Sequence, residues 1–156
     1  MSKQPDWAIR IGAWFLENGH RALLALTGGR YPKKVLGMQP VELYTIGSKT
    51  GQRRGTLLTA PIYEPDRVVL VASYGGGTEN PAWYKNLVKN PAVEIAVDDV
   101  ARPFTAHTAS AEEKAALWPA IVKVNPGYAG YQKNTDRDIP PSSSACRPSA
   151  GPLIVG

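Results

Sequence analysis

The segment that most constrains this chain is 67–73, because its middle, Val68-Val69-Leu70-Val71-Ala72, is apolar without interruption. A strand with one face in water alternates apolar and polar side chains; a strand that does not alternate is covered on both faces. The fold must therefore bring packing to this strand from two sides. The 156 residues suffice for such a core within one domain, and a hydrophobic content of 43% excludes an intrinsically disordered chain. With 15 Gly and 14 Pro the chain turns often, which argues against an all-helical bundle.

The neighbouring segments also read as strands. Residues 41–46 and 56–63 flank a polar turn, Gly47-Ser48-Lys49-Thr50-Gly51-Gln52-Arg53-Arg54. Further on, Val93, Ile95 and Val97 alternate with Glu94, Ala96 and Asp98, and Asp98-Asp99 turns the chain into 102–108, which predicts a hairpin. Three stretches read as helices. In 5–26, Trp7, Ile11, Trp14, Phe15, Ala22, Ala25 and Leu26 form one apolar stripe, and Gly28-Gly29 ends it. Asn80 is placed to cap a short helix with Pro81 at its first position and Trp83, Tyr84, Leu87 and Val88 on its inner face. Ser110 and Glu113 form a capping box ahead of Leu117, Trp118, Ile121 and Val122. No internal repeat or linker is visible. The expected architecture is one α+β domain with a largely antiparallel sheet. Its N-terminal helix occupies 1–30, its main body 31–140, and an atypical, poorly packed tail 141–156.

Several function classes are excluded or disfavoured. The single cysteine, Cys146, rules out an internal disulfide framework and Cys-rich metal sites, which fits a cytoplasmic location. His20 and His107 have no metal-ligand spacing, so no metal is expected, and no Ser-His-Asp pattern or nucleophile elbow occurs. No stretch is long and apolar enough to span a membrane, and the N-terminus lacks the pattern of a signal peptide. The formal net charge of +5 admits an anionic partner. Its cations are not interleaved with aromatics on a sheet face, so no nucleic acid is expected. The tryptophans of the N-terminal stripe allow peripheral membrane contact, with core packing the commoner role of such a stripe.

Three segments carry candidate chemistry. In 48–55, Lys49, Arg53 and Arg54 crowd a Gly-flanked turn, which suits phosphate or carboxylate; a solvated basic turn explains the same residues, and the spacing is not that of a P-loop. In 73–81, Ser73-Tyr74-Gly75-Gly76-Gly77 leads from the buried strand to a helix start, either as a close backbone approach for a ligand or as a flexible connector. Tyr128 and Tyr131, three apart, share a helical face; with Tyr63 and Trp83 they suit a flat ligand or an ordinary aromatic core.

Taken in order, Lys49-Thr50-Gly51-Gln52-Arg53-Arg54, Ala72-Ser73-Tyr74-Gly75-Gly76 and Asn80-Pro81-Ala82-Trp83-Tyr84-Lys85-Asn86-Leu87 resemble the deazaflavin (F420)-dependent nitroreductase family of mycobacteria and related actinobacteria. So do Pro126-Gly127-Tyr128, Tyr131-Gln132 and Thr135-Asp136-Arg137, and the match spans about residues 40–140. The resemblance implies a split β-barrel of about six strands. It also implies a reductase that moves a hydride from reduced coenzyme F420 to an electron-poor acceptor such as a quinone, nitroaromatic or activated enone. By motif, Lys49, Thr50, Gln52 and Arg54 would hold the phosphate and polyglutamate tail, with Ser48 beside them. Ala72, Ser73, Tyr74, Gly75 and Gly76 would line the ring, and Asn80, Pro81, Trp83 and Lys85 would close the site. Tyr63, Tyr128 and Tyr131 would face the substrate, with Tyr131 or Ser73 orienting the acceptor or relaying the proton. The chain would act as a monomer or homodimer. The residues themselves suit this cofactor, since a phosphate and several carboxylates beside a flat ring need a basic loop, a Gly-rich approach and an aromatic lid.

Two departures from the family pattern stand out. Asn125 replaces a frequent aromatic, which implies a more open or polar pocket. The Val/Leu-rich strand expected after Ile139-Pro140 is replaced by Pro141-Ser142-Ser143-Ser144-Ala145-Cys146-Arg147. If encoded by G/C-rich codons, that run reads Val-Val-Val-Gly-Leu-Pro in a neighbouring frame, so one explanation of the departure is a frame shift near codon 141; a genuine tail of this composition would instead lower stability. The competing readings are an FMN-binding split-barrel oxidoreductase and a non-catalytic F420-binding protein.

Overall fold

The computed structural model describes residues 7–8, 37–136, 138–139 and 141–144. The expected N-terminal helix, apart from a helical Trp7 and Ala8, lies outside the described residues, as does the chain after Ser144. The strands are β1 (Gln39–Ile46), β2 (Arg53–Ala60), β3 (Ile62–Glu64), β4 (Arg67–Val71), β5 (Ala92–Val97), β6 (Val100–Thr105) and β7 (Pro141–Ser144). The helices are α1 (Ala82–Lys89), α2 (Ala111–Val124) and α3 (Gly127–Asn134), and a 3-10 turn spans Tyr74–Gly76. All strand pairs are antiparallel, in one sheet ordered β2-β1-β5-β6 and a second ordered β3-β4-β7. The α+β class with antiparallel strands is as expected, and the described strands form two sheets that do not close on each other.

Strand β4 joins the two halves. Val68 and Leu70 enter a core with Val41, Leu43, Trp83, Leu87, Ile95 and Phe104, while Val69 points the other way, to Met38, Ile121 and Tyr128. Val68, Val69 and Leu70 are all completely buried, as the unbroken apolar run demanded. The strand ends at Val71, earlier than 73, because Ser73 begins the 3-10 turn, with the Gly76 N–H donating to its carbonyl at 2.8 Å.

The expected strand 56–63 is instead two strands. Pro61 has no N–H to give to a ladder, and the chain uses the break to leave the four-stranded sheet for the other one. The hairpin of β5 and β6 turns where it was expected. Asp98 and Asp99 both have positive φ, 49° and 63°, the type I′ geometry whose twist matches paired strands.

Ser110 and Glu113 close both bonds of the capping box at the start of α2. Helix α1 begins one residue later than expected: Pro81, not Asn80, is its N-cap, and the Pro81 carbonyl accepts from Tyr84 and Lys85. Its inner face also shifts. Trp83, Asn86 and Leu87 are buried and Val88 is exposed, since a helix buries positions three and four apart.

The chain continues pairing beyond the boundary expected at residue 140. Lys114 donates to the Ile139 carbonyl at 2.7 Å and bonds Asp138, and Ile139 N–H donates to Gln132 at 2.9 Å. These bonds deliver the backbone to β4, where Pro141–Ser144 runs opposite Val68–Val71 as an edge strand. Proline is tolerated there, at the first position of an edge.

Candidate functional site

The turn after β1 is built by its own backbone. Gly47 N–H donates to the Gln52 carbonyl at 2.8 Å, and Gly51 N–H returns to Gly47 at 2.9 Å. Gly51 sits at φ 67°, a left-handed conformation that glycine adopts without strain. The turn holds Ser48, Lys49 and Thr50 at one wall of a cleft of about 580 Å³, with Arg54 and Thr56 from β2 beside them. The opposite wall is Tyr74, Thr78, Glu79, Asn80 and Pro81, followed by Ala82, Trp83, Lys85 and Asn86 of α1. Two of the three expected segments thus meet in one cleft.

The pleat separates the two arginines. Arg54 lies opposite Thr45, whose side chain is buried on the inner face of β1, and lines the cleft. Arg53 points to the outer face, donating to Glu94 at 2.7 Å and stacking over the Tyr44 ring at 3.5 Å. The Glu94 carboxylate holds the Arg53 guanidinium above its ordinary pKa, while burial holds the Tyr44 phenol above its own. On the other wall Lys85 donates to Glu79 at 3.0 Å, so an anion entering the cleft meets an ammonium already beside a carboxylate.

Of the expected cofactor residues, Ser48, Lys49, Thr50, Arg54, Tyr74, Asn80, Pro81, Trp83 and Lys85 line this cleft, whereas Gln52, Ala72, Ser73 and Gly76 are not among its lining residues. Gln52 shapes the turn, its carbonyl accepting from Gly47 and its N–H donating to the Thr50 hydroxyl at 3.3 Å. Ala72 is wholly buried in the core. Ser73 is buried as well, at the start of the 3-10 turn. Gly76 instead meets α3: at φ 80°, a β-carbon added there would lie 2.8 Å from the Tyr131 carbonyl oxygen. The Gly-rich loop is therefore the seat of the tyrosine-bearing helix.

None of Tyr63, Tyr128 and Tyr131 is among the residues lining the cleft. Tyr128 and Tyr131 meet edge to face at 6.0 Å, as their spacing predicted. Tyr131 is partly exposed, but Tyr128 is buried and its hydroxyl donates to the Met38 sulfur at 3.6 Å. Burial pushes the Tyr128 phenol up to about 12, with a hydrogen bond from Thr59 acting weakly against it. Tyr128, with its hydroxyl committed to Met38, is not among the cleft residues, whereas the resemblance implied a place facing the substrate. Tyr63, on β3 opposite Val68, is partly exposed and is not among the cleft residues.

Sequence reasoning did not assign Gly47, Gly55, Thr56, Thr78, Glu79, Ala82 and Asn86 of the lining to the site. Thr56 was legible in principle, since it has the same strand parity as Arg54. Asn86 was legible too, since it lies three residues after Trp83 on one helical face. Among the described residues no cluster of His, Cys, Asp or Glu could hold a metal ion, and no helix is long and apolar enough to cross a membrane.

The chain is 38% identical over 128 residues to the F420H(2)-dependent quinone reductase Rv1261c of Mycobacterium tuberculosis, covering 78% of this chain and 83% of that protein. A solved F420-H2 dependent reductase, FDR-A, is similar with a TM-score of 0.59 and 36% identity, covering 67% of this chain and 91% of that one. A second solved structure, described as a domain-swapped dimer, gives a TM-score of 0.62 and 33% identity over 83% of this chain and 96% of its own. The family F420H(2)-dependent quinone reductase matches residues 18–142. The chain therefore belongs to the F420H(2)-dependent quinone reductase family, oxidoreductases that use reduced F420 as hydride donor.

Proposed function

We propose that the cleft between the 47–52 turn and α1 holds reduced F420, and that the acceptor is a quinone. The observation that carries this reading is the meeting of Lys49, Thr50 and Arg54 with Trp83 and Lys85 across one cleft. The donor set fits the group: the cations and turn suit its phosphate and carboxylates, and Trp83 offers a flat apolar surface to a ring. When bound, F420 supplies the hydride, and the acceptor takes one further proton to complete a two-electron reduction.

The protein's own contribution is placement and the exclusion of water. Lys49 and Arg54 anchor the anionic end through charge-assisted hydrogen bonds, and Trp83 limits tilt of the ring. Tyr131, partly exposed above the Gly-rich loop, orients the acceptor and passes it a proton, with solvent as the alternative source. Nitroaromatics and activated enones are further acceptors of the same electron-poor kind. Similarity to a domain-swapped dimer supports a homodimer. Contact of the N-terminal helix with a membrane surface is tested by liposome co-sedimentation of intact and helix-deleted chains.

The central test is titration of the purified protein with F420 and with FMN, followed by oxidation of reduced F420 with menadione. Saturable F420 binding and menadione-dependent turnover are expected. Binding of FMN alone overturns the reading, and F420 binding without turnover with any acceptor identifies a non-catalytic carrier. Tyr131→Phe with full turnover at every pH removes Tyr131 from the proton path.

A further inference from the structure

The internal bonds of the 47–52 turn fix its shape but not its tilt against the opposite wall. That tilt is set by α1. Residue Ser48 is held at both of its backbone polar groups: its N–H donates to Asn86 Oδ1 at 2.9 Å, and its carbonyl accepts from Lys89 Nζ at 2.6 Å. The other end of the Asn86 amide is fixed in turn, with Nδ2 donating to the Thr45 hydroxyl at 3.1 Å in a buried setting. Thr45 is 1% exposed and Asn86 9% exposed, so neither group has water as a ready substitute. The Thr45 bond also orients the amide, since a flipped Asn86 would set its NH2 against the Ser48 N–H.

We propose that Thr45 and Asn86 are positioning residues that hold the anion-binding turn at a set distance from α1 before the cofactor arrives. The same helix carries Trp83 and Lys85, so this relay sets the width between the two cation-bearing walls of the cleft. A turn already held in place loses less freedom on binding, and that gain falls on the phosphate and carboxylate end of the ligand rather than on its ring. Thr45 is not among the cleft residues, and its side-chain hydroxyl is joined to the turn through Asn86.

The inference rests on the F420 reading above, and its test separates the two. Affinities of the full chain for F420 and for the deazaflavin riboside, which lacks the phosphate and glutamates, are measured by fluorescence titration without turnover. They are compared in wild type, Thr45→Val and Thr45→Ser. Thr45→Val keeps the side-chain shape but leaves Asn86 Nδ2 without its acceptor. It is expected to weaken F420 about fivefold, the worth of one ordinary hydrogen bond. Riboside affinity is expected to stay unchanged, and Thr45→Ser, which keeps the hydroxyl, to bind F420 as wild type does. Wild-type preference for F420 over the riboside with no F420 loss in Thr45→Val overturns the inference alone. Equal loss of both ligands also overturns it, since that marks a general structural role. Wild type that binds F420 no better than the riboside overturns both the inference and the placement of the anionic end on this turn.

Discussion

Arg53 and Arg54 are adjacent, carry the same charge and lie on opposite faces of β2, which makes them a matched pair for testing where the anion sits. The perturbation is Arg54→Ala against Arg53→Ala. At physiological salt the screening length is about 8 Å, so the diffuse contribution of either charge to F420 attraction is similar and small. Only Arg54 can make a direct contact from the cleft, and a hydrogen bond to a charged group is worth about 1.5–3 kcal/mol. Loss of that contact corresponds to roughly 10- to 100-fold weaker binding. Arg53→Ala removes a pair with Glu94 on the far side of the sheet, and its affinity is expected within about threefold of wild type. Fluorescence titration with F420 at constant ionic strength reads both variants, with thermal unfolding to confirm that each is folded. Equal losses in the two variants would refute the argument, since the face on which an arginine lies would then not matter.

Other consequences concern stability. Ser110→Ala removes the acceptor of the Glu113 N–H and is expected to cost about 1 kcal/mol in denaturant unfolding. Burial raises the Glu113 carboxyl, but the Ser110 N–H and His107 more than offset it and hold it low; its stabilisation is therefore present above the ordinary carboxylate range and lost as pH falls through the folded value. Glu113→Gln should flatten the acid limb of the melting profile, and an unchanged limb counts against the pairing. The Tyr128 phenol works in the opposite direction. With a folded pKa of about 12, its contribution is complete below the unfolded value and declines as pH rises towards 12, so Tyr128→Phe should resist alkaline unfolding better than wild type. Replacing Ser142, Ser143 and Ser144 by valine opposite Leu70, Val69 and Val68 should raise stability by roughly 1–3 kcal/mol in total. Resequencing the gene beside close relatives tests the shifted frame, and an intact frame removes that explanation.

The unbroken run in β4, the Asp98-Asp99 hairpin and the Ser110/Glu113 box were readable because each is a local necessity. A run that cannot alternate, a turn that demands positive φ and a donor that needs an acceptor all act within a few residues. What escaped reading depended on partners far along the chain. The division of Arg53 from Arg54 follows from which face of β2 meets the core, and that is decided by β1. Asn86 reads as an ordinary helix residue until Thr45 and Ser48 come within reach from more than thirty residues away. One glycine of the Gly-rich loop shows the same dependence on distant partners: Gly76 gives its space to the backbone of α3. Tyr128 and Tyr131 look alike in sequence, and only the Met38 sulfur and surrounding apolar residues distinguish them.

Strand β4 has a last consequence, for the time course of opening. Its side chains belong to two cores and its backbone pairs with β3 on one edge and β7 on the other. Local fraying releases a strand that has one free side, and β4 has none. The amides of Val68, Val69 and Leu70 should therefore exchange with solvent only when the whole domain opens, at a rate set by the global free energy. Neither core can come apart while the other stays intact, so the two sheets should melt in one transition despite being separate ladders.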